Sequence, residues 1–304
     1  MYRLRFLTNS AFTGANAWFP LAHDRGYFRD EGLDVEFVDG SGAFSAAGRM
    51  VKEGYEFGYG DSHALIEEAA YRPETSPVGI YMIMDRPPSV IALPAGSKVK
   101  SPAELAGLTI TGHAIDVGLN TFEQYASKAG LDPRMVNKAN DDGDWIALLG
   151  LLQAGKTDAL FGYFSTVSAA VRSSGRDVGS VVRFLKFKDV APELYGSGLM
   201  VSPAVARDKP TLVKAFVRAI NRGVLAAARD PGAAIRSLLN HAPDRQPDVD
   251  RLRLLETIEE DIGGRQVLAA GLGDIDRTRM QRLLKLTAET RKLPRQPSLD
   301  EVFT

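Results

Sequence analysis

The sequence predicts an α/β protein in which two similar lobes are joined by two crossovers of the chain. Strand-like and helix-like segments alternate through about the first 200 residues, which is typical of parallel sheets covered by helices. One strand–helix module recurs about 100 residues after its first copy. From about residue 207 onward the pattern is helical to the end.

The strands and helices are predicted from hydrophobic periodicity and from turn and capping residues. The predicted strands are Leu4–Thr8, Asp34–Val38, Glu56–Gly60, Pro77–Met84, Val90–Leu93, Leu108–Thr111, Met135–Lys138, Ala159–Tyr163 and Val181–Phe187. The predicted helices are Ala17–Asp30, Ala43–Glu53, His63–Ala70, Pro102–Leu105, Val117–Ala129, Trp145–Gln153, Thr166–Ser173, Lys209–Ala228, Ala233–Leu239, Asp248–Ile262 and Asp276–Lys292.

The internal repeat indicates that the two lobes are alike. The segment 35–54 aligns without a gap on 136–155, at a constant shift of 101 residues (136 − 35 = 101). A Gly-Leu-Asp tripeptide precedes both copies. Pro87-Pro88 suits one crossover because proline fixes φ and resists helix, and Lys188–Tyr195 is the expected second crossover. The first lobe is therefore predicted to comprise residues 1–87 and 190–304, and the second lobe residues 88–189.

Composition excludes several classes of function. A formal net charge of −1 provides no field that would attract nucleic acid or an anionic membrane. The absence of cysteine removes thiol nucleophiles and cysteine-ligated zinc, and it is consistent with an oxidising compartment. No run approaches the roughly 20 apolar residues that span a bilayer. The sequence also lacks a G-x-S-x-G elbow and an H-E-x-x-H motif.

A long N-terminal motif and four shorter motifs carry a resemblance to a known family. The motifs are WFPLAHDRGYFRDEGLDVE at Trp18–Glu36, GYEFG at Gly54–Gly58, KSPAELAG at Lys100–Gly107, GKTDALFG at Gly155–Gly162 and DPGAA at Asp230–Ala234. In order and spacing the chain resembles the NMT1/THI5-like, SsuA-like solute-binding proteins, which serve ABC importers for nitrate, sulfonates, taurine and thiamine precursors.

The resemblance implies a type II periplasmic-binding-protein fold, with a ligand cleft between the two lobes. It implies a monomeric receptor that captures one small molecule by hinge closure and delivers it to an ABC permease with its ATPase. It also implies a periplasmic or lipid-anchored extracytoplasmic location, with a signal peptide in the precursor. We expect no enzymatic activity, no cofactor, no metal and no nucleic-acid partner.

The candidate ligand site follows from topology, because open parallel sheets bind ligands beyond the carboxyl ends of their strands. Alternative roles remain open for several candidates: Trp18 could be core or a stacking platform, Gly42 a tight turn or an anion-binding helix start, and Asp61 a helix cap or the partner of a ligand amine. The candidate ligand-binding residues are Asn9, Phe12, Trp18, Gly40, Ser41, Gly42, Asp61, His63, His113, Asp116, Trp145, Tyr163, Phe164 and Tyr195.

The ligand class is expected from the polarity of these loops. Aspartates lie there among aromatic rings, which favours a small nitrogen compound such as a pyrimidine or thiamine precursor. The alternative is an alkanesulfonate, taurine or nitrate held by helix N-termini.

Three other functions are alternatives for this chain. A THI5-like pyrimidine synthase is disfavoured, since that enzyme needs a cysteine-rich motif. A transcription-regulator effector domain would need an N-terminal helix-turn-helix, whereas this chain begins with a predicted strand. The sequence does not distinguish a receptor that serves a sensor from one that serves a transporter.

Overall fold

The computed structural model describes residues 1–263 and 271–304, which form two compact units. The first unit comprises Met1–Asp85 and Tyr195–Thr304, and the second comprises Arg86–Leu194. The chain therefore crosses between the units twice. The sequence-based boundaries lie two residues after the first of these crossings and five residues before the second.

In the described part of the chain, ten strands form two five-stranded sheets, one in each unit. The strands are β1 (Tyr2–Leu7), β2 (Leu33–Val38), β3 (Phe57–Asp61), β4 (Val78–Met82), β5 (Ser89–Pro94), β6 (Thr109–Gly112), β7 (Asn137–Asn140), β8 (Ala159–Tyr163), β9 (Val182–Lys186) and β10 (Ser197–Val201). The first sheet has the order β2-β1-β3-β10-β4, and the second has the order β7-β6-β8-β5-β9. Each position in one order corresponds to a position in the other, as the internal repeat indicates.

Fifteen α-helices are described outside residues 264–270. They are α1 (Trp18–Asp24), α2 (Tyr27–Asp30), α3 (Ala46–Glu53), α4 (Ser62–Tyr71), α5 (Val117–Asn120), α6 (Phe122–Ala129), α7 (Trp145–Gln153), α8 (Phe164–Ser173), α9 (Val178–Val181), α10 (Pro203–Asp208), α11 (Pro210–Arg229), α12 (Pro231–His241), α13 (Pro247–Glu256), α14 (Arg277–Thr290) and α15 (Leu299–Val302). Short 3₁₀ turns cover Gly14–Asn16, Ala43–Ser45, Pro102–Leu105, Pro133–Met135 and Phe187–Asp189, and Thr257–Ile262 is π-helical. None of the described helices is long and apolar enough to cross a membrane.

The expectation of purely parallel sheets is wrong, because each sheet contains an antiparallel strand. β10 runs antiparallel to β3 and β4, and β5 runs antiparallel to β8 and β9. Each of these strands is the first after the chain crosses from one unit to the other. The N-terminal ends of β5 and β10 therefore lie at the same sheet edge as the carboxyl ends of the parallel strands.

Three predicted helices are interrupted in the structure. The predicted helix 17–30 is divided into α1 and α2 at Gly26, whose φ of 72° is left-handed and ends a regular helix. The predicted helix 117–129 is divided at Thr121 into α5 and α6. The predicted helix 248–262 changes from α13 to π-helical hydrogen bonding at Thr257. Sequence reasoning also missed β10, α9, α10 and α15.

Glycines in β3 and β8 let the preceding helices lie directly against each sheet. A Cβ at Gly60 would be 2.4 Å from the Cβ of Ala46 in α3, and a Cβ at Gly162 would be 2.5 Å from Cη2 of Trp145 in α7. Both distances are shorter than side-chain atoms tolerate, so glycine permits this packing. The two βαβ modules of the repeat are therefore packed in the same way.

The core of the first unit is aromatic. Phe57 of β3 stacks on Phe216 of α11 with ring centroids 4.2 Å apart, and Phe6 meets Phe19 and Phe216 edge to face at 5.1 Å. These rings fill the layer between the sheet and helices α1 and α11. They pack β1 and β3 against these two helices.

Candidate functional site

The loops after β1 and β2 are joined through their backbones. The amide of Gly42 donates to the carbonyl oxygen of Asn9 at 2.9 Å. A Cβ at Gly40 would lie 2.0 Å from the carbonyl oxygen of Thr8, so this approach requires glycine. Gly42 has a φ of 135°, which residues with a side chain rarely adopt. Three predicted site residues, Asn9, Gly40 and Gly42, therefore meet at the carboxyl edge of the first sheet.

The helical segment after β2 begins without a side-chain cap. Gly42 holds the cap position of the turn Ala43–Ser45, which leads directly into α3. The hydroxyl oxygens of Ser41 and Ser45 are 3.1 Å apart, and Ser45 Oγ donates to the carbonyl of Gly42 at 2.8 Å. The first amides of a helix lack intrahelical acceptors and carry partial positive charge. This segment therefore presents backbone donors, together with the exposed Ser41 side chain, to an anion.

Asp61 and His63 form a buried pair at the end of β3. Asp61 Oδ1 accepts from the amide of His63 at 2.9 Å, which caps α4, and it lies 3.0 Å from His63 Nδ1. The two residues are 0% and 1% exposed. Asp61 Oδ2 and His63 Nε2 are buried without a hydrogen-bond partner among the described residues. The carboxylate therefore caps the helix and orients the imidazole.

Tyr59 and Ser197 lie beside this pair. Ser197 is opposite Asp61 in the β3–β10 register. Burial raises the pKa of the Tyr59 phenol strongly, and the carboxylates of Asp261 and Asp61 raise it further. Tyr59 therefore stays protonated at physiological pH and can donate a hydrogen bond.

Tyr195 is held by α14, which the sequence did not connect with the site. Its hydroxyl accepts from the amide of Asp276 at 3.0 Å, and the guanidinium of Arg279 lies 3.6 Å from its ring centroid. Arg279 also donates to Asp85 Oδ1 at 3.0 Å. Burial raises the pKa of the Tyr195 phenol although Arg279 opposes the shift. The ring is fully buried, so its contact surface is occupied by the protein itself.

Trp18 and Phe12 are also buried. Trp18 belongs to the hydrophobic core and meets Phe19 edge to face at 5.9 Å. Phe12 packs edge to face on Phe37 at 5.0 Å. Of the two roles open to Trp18, the structure favours core packing over a platform for ligand stacking.

In the second unit, the loops after β6 and β7 meet around His113. His113 Nε2 is 2.7 Å from the carbonyl oxygen of Gly143, and its ring meets Trp145 edge to face at 5.1 Å. Asp141 Oδ1 accepts from the amide of Gly143 at 2.8 Å. Trp145 is partly exposed, so of the two tryptophans it is the one with free aromatic surface. These contacts place His113 and Trp145 at the carboxyl edge of the second sheet.

Two further aspartates of this edge serve as helix caps. Asp116 Oδ1 accepts from the amide of Leu119 at 3.1 Å at the start of α5. Asp144 Oδ1 accepts from the amide of Ala147 at 2.8 Å at the start of α7. These helix starts already contain a carboxylate, which satisfies their free amides and neutralises their partial positive charge.

The helix after β8 begins differently. Tyr163 holds the cap position of α8 and makes no side-chain capping bond. The amide of Phe164 donates to the carbonyl of Pro88 at 3.0 Å, and Lys186 Nζ lies 4.4 Å from the Phe164 ring centroid. The start of α8 therefore has its first amide bonded to a backbone carbonyl and lies near an ammonium group.

The predicted residues divide into two groups by exposure. Phe12, Trp18, Asp61, His63 and Tyr195 are buried. The partly or fully exposed candidates are Asn9, Gly40, Ser41, Gly42, His113, Asp116, Trp145, Tyr163 and Phe164. The exposed group is the one that a ligand could contact without rearrangement of the unit that carries each residue.

Sequence reasoning missed Ser89, Ser197, Lys186 and Arg279. Ser89 and Ser197 begin the antiparallel strands β5 and β10, so they reach the site edge only because those strands are inverted. Lys186 ends β9 at the same edge, since it pairs beside Val90. Arg279 comes from α14, where no local pattern marks it. The signal that could have found the serines is their position directly after each crossover.

Comparison with known proteins identifies the family. Residues 16–234 match the family model described as NMT1/THI5 like. A search of curated protein sequences finds no match.

Solved structures share the fold at low identity. The alkanesulfonate-binding protein SsuA from Xanthomonas axonopodis pv. citri, bound to MOPS, is 16% identical with a TM-score of 0.76, over 100% of this chain and 98% of that chain. The periplasmic aliphatic sulphonate binding protein SsuA from Escherichia coli is 14% identical with a TM-score of 0.75, over 99% and 91%. The desulfurization enzyme DSZB is 14% identical with a TM-score of 0.64, over 99% and 96%. The predicted fold, that of SsuA-like periplasmic binding proteins, is confirmed.

Proposed function

The chain belongs to the NMT1/THI5-like family, and we propose that it is the extracytoplasmic receptor of an ABC importer for a small anion of the sulfonate type. Its fold and family are those of ABC-type solute-binding receptors. The anionic ligand is the alternative expected from the sequence. Hinge closure on the ligand, delivery to a permease with its ATPase and a monomeric state are parts of this proposal.

The distribution of helix caps is the observation that carries the choice of an anion. Asp61 and Asp116 each use one carboxylate oxygen to cap α4 and α5, and Asp61 is also fully buried, which lowers the availability of these carboxylates to a ligand amine. The helical segment that begins at Gly42 has no side-chain cap. Uncapped helix starts favour an anion through their free amides and their dipole.

The relatives support the same ligand class. Two SsuA proteins with this fold are described as binding alkanesulfonates or aliphatic sulphonates, and one of them holds MOPS, which is itself a sulfonate. For this chain we propose that the sulfonate oxygens bind at the helix start that follows Gly42, beside the exposed Ser41.

The nitrogen compound favoured by the sequence has less support. Its case depended on aspartates being free to accept from the ligand, whereas Asp61 is fully buried and Asp141 accepts from the amide of Gly143. A pyrimidine stacked on Trp18 would also have to displace core packing.

We assign no catalytic role to any residue. The fold is shared with the desulfurization enzyme DSZB, so the fold by itself does not decide between receptor and enzyme. The chain has no cysteine, and it therefore cannot form a thiol-based covalent intermediate.

A charge substitution at Ser41 tests the proposed anion site. Ser41→Asp places a carboxylate beside the uncapped helix start, where it would compete with the ligand and repel it. We expect the affinity for ethanesulfonate, measured by isothermal titration calorimetry, to fall about tenfold, or about 1.4 kcal/mol. Ser41→Asn is the matched control, because it has nearly the same shape without the charge. Equal affinity in both variants would contradict the placement of the anion at this helix start.

A further inference from the structure

A cluster of two histidines and one aspartate lies on the surface of the first unit. His23 and Asp24 come from the end of α1, and His241 is the last residue of α12. His241 Nε2 is 2.7 Å from Asp24 Oδ1, and His23 Nδ1 is 3.5 Å from the same oxygen. All three donor atoms lie within 4.8 Å of one another. The chain has four histidines, and two of them meet here.

The geometry points to a site for a divalent transition metal of the zinc type, and we propose that these three residues bind it. Imidazole nitrogen and carboxylate oxygen are ligands that zinc prefers, with bonds of about 2.0–2.2 Å. Tetrahedral zinc then requires donor atoms roughly 3.4 Å apart. Asp24 Oδ1 lies 2.7 Å from His241 Nε2 and 3.5 Å from His23 Nδ1, and no pair of the three donor atoms is more than 4.8 Å apart. Small side-chain rotations would bring each pair to the separation that zinc requires. A fourth position would remain for water.

The surroundings orient the donors as a metal site requires. Asn240 Nδ2 donates to Asp24 Oδ2 at 3.1 Å. This bond holds one carboxylate oxygen and leaves Oδ1 close to both imidazoles. Outer hydrogen bonds of this kind position metal ligands.

Aromatic rings fix the two imidazoles. The His241 ring meets Phe12 edge to face at 5.9 Å, and the His23 ring meets Phe37 edge to face at 5.9 Å. The two imidazole rings are perpendicular, with centroids 5.4 Å apart. Both histidines are therefore restrained, which lowers the conformational entropy that metal binding would cost.

Zinc titration of the tag-free protein tests the proposal. The probe is zinc sulfate in competition with a chromophoric chelator at neutral pH. We expect one equivalent to bind, and His23→Ala, His241→Ala and Asp24→Asn each to weaken binding by about tenfold or more. Asp34→Asn, which removes an exposed carboxylate elsewhere in this unit, is the matched control and should bind zinc like the unmodified protein.

Two further measurements separate a real site from an adventitious one. Crystals soaked in zinc should show anomalous density between His23 Nδ1 and His241 Nε2. Circular dichroism without metal should be unchanged in the variants, because these side chains are at the surface. The proposal is overturned if the dissociation constant for zinc is above about 1 mM. It is also overturned if the protein with both His23→Ala and His241→Ala binds zinc as tightly as the unmodified protein. Either outcome is independent of which solute the receptor carries.

Discussion

At the scale of single residues, the sequence predicted which residues lie at the sheet edges better than it predicted which of them are exposed to solvent. Asn9, Gly40 and Gly42 do meet at one edge, since the two loops exchange backbone contacts. Trp18 and Tyr195 are fully buried, and a sequence cannot show this because core aromatics and stacking platforms have the same residue types. The sequence did not reveal the cluster of His23, Asp24 and His241, because Asp24 and His241 are 217 residues apart.

Asp61 provides a residue-scale prediction about stability. Asp61→Ala removes the cap of α4 and leaves the amide and Nδ1 of His63 buried without an acceptor. The expected loss in the free energy of unfolding is roughly 2–4 kcal/mol, measured by urea denaturation. Asp61→Asn retains an acceptor oxygen and should lose less.

The matched control is Asp144→Ala at the exposed cap of α7, which should cost only about 1 kcal/mol. If both alanine variants lose the same stability, the buried Asp61–His63 pair contributes nothing beyond an ordinary cap.

At the scale of elements, most strands and helices were predictable, and the failures have physical causes. The bounds of β8 and α7 match the prediction, because a buried apolar run and a capping aspartate mark them. β10, whose sequence is SGLMV, was missed because a five-residue strand beside a crossover gives no clear periodicity. The direction of β5 could not be predicted, since strand pairing depends on contacts distant in sequence.

Close packing of α7 on β8 gives an element-scale prediction. A Cβ at Gly162 would lie 2.5 Å from Trp145 and 2.8 Å from Cγ2 of Val167, so Gly162→Ala must displace α7 or α8. We expect a loss of about 1–3 kcal/mol in the free energy of unfolding by urea denaturation.

Gly150→Ala in α7 is the control for this packing. No atom lies within 4 Å of a Cβ at Gly150, and alanine favours helix over glycine by up to about 1 kcal/mol. This variant should therefore be more stable than the unmodified protein. A stabilising Gly162→Ala would show that α7 is not held against β8 as described.

At the scale of the whole molecule, the internal repeat was the most informative feature of the sequence. It predicted two related α/β units, and the two sheets do have corresponding strand orders. The ligand class was harder to predict, because residue types at the sheet edges do not reveal which aspartates are used as helix caps. That assignment needs the hydrogen bonds of Asp61, Asp116 and Asp144. The proposed anionic ligand rests on the same contacts.

Calorimetric titration of the unmodified protein with ethanesulfonate and ethylammonium tests the central claim most directly. The two compounds share an ethyl group and differ in the sign of the charged group, and a pyrimidine is titrated alongside them. We predict saturable binding of the sulfonate and no measurable binding of the other two, because the uncapped helix start favours an anion. Binding of the amine or the pyrimidine, without binding of the sulfonate, would contradict the account.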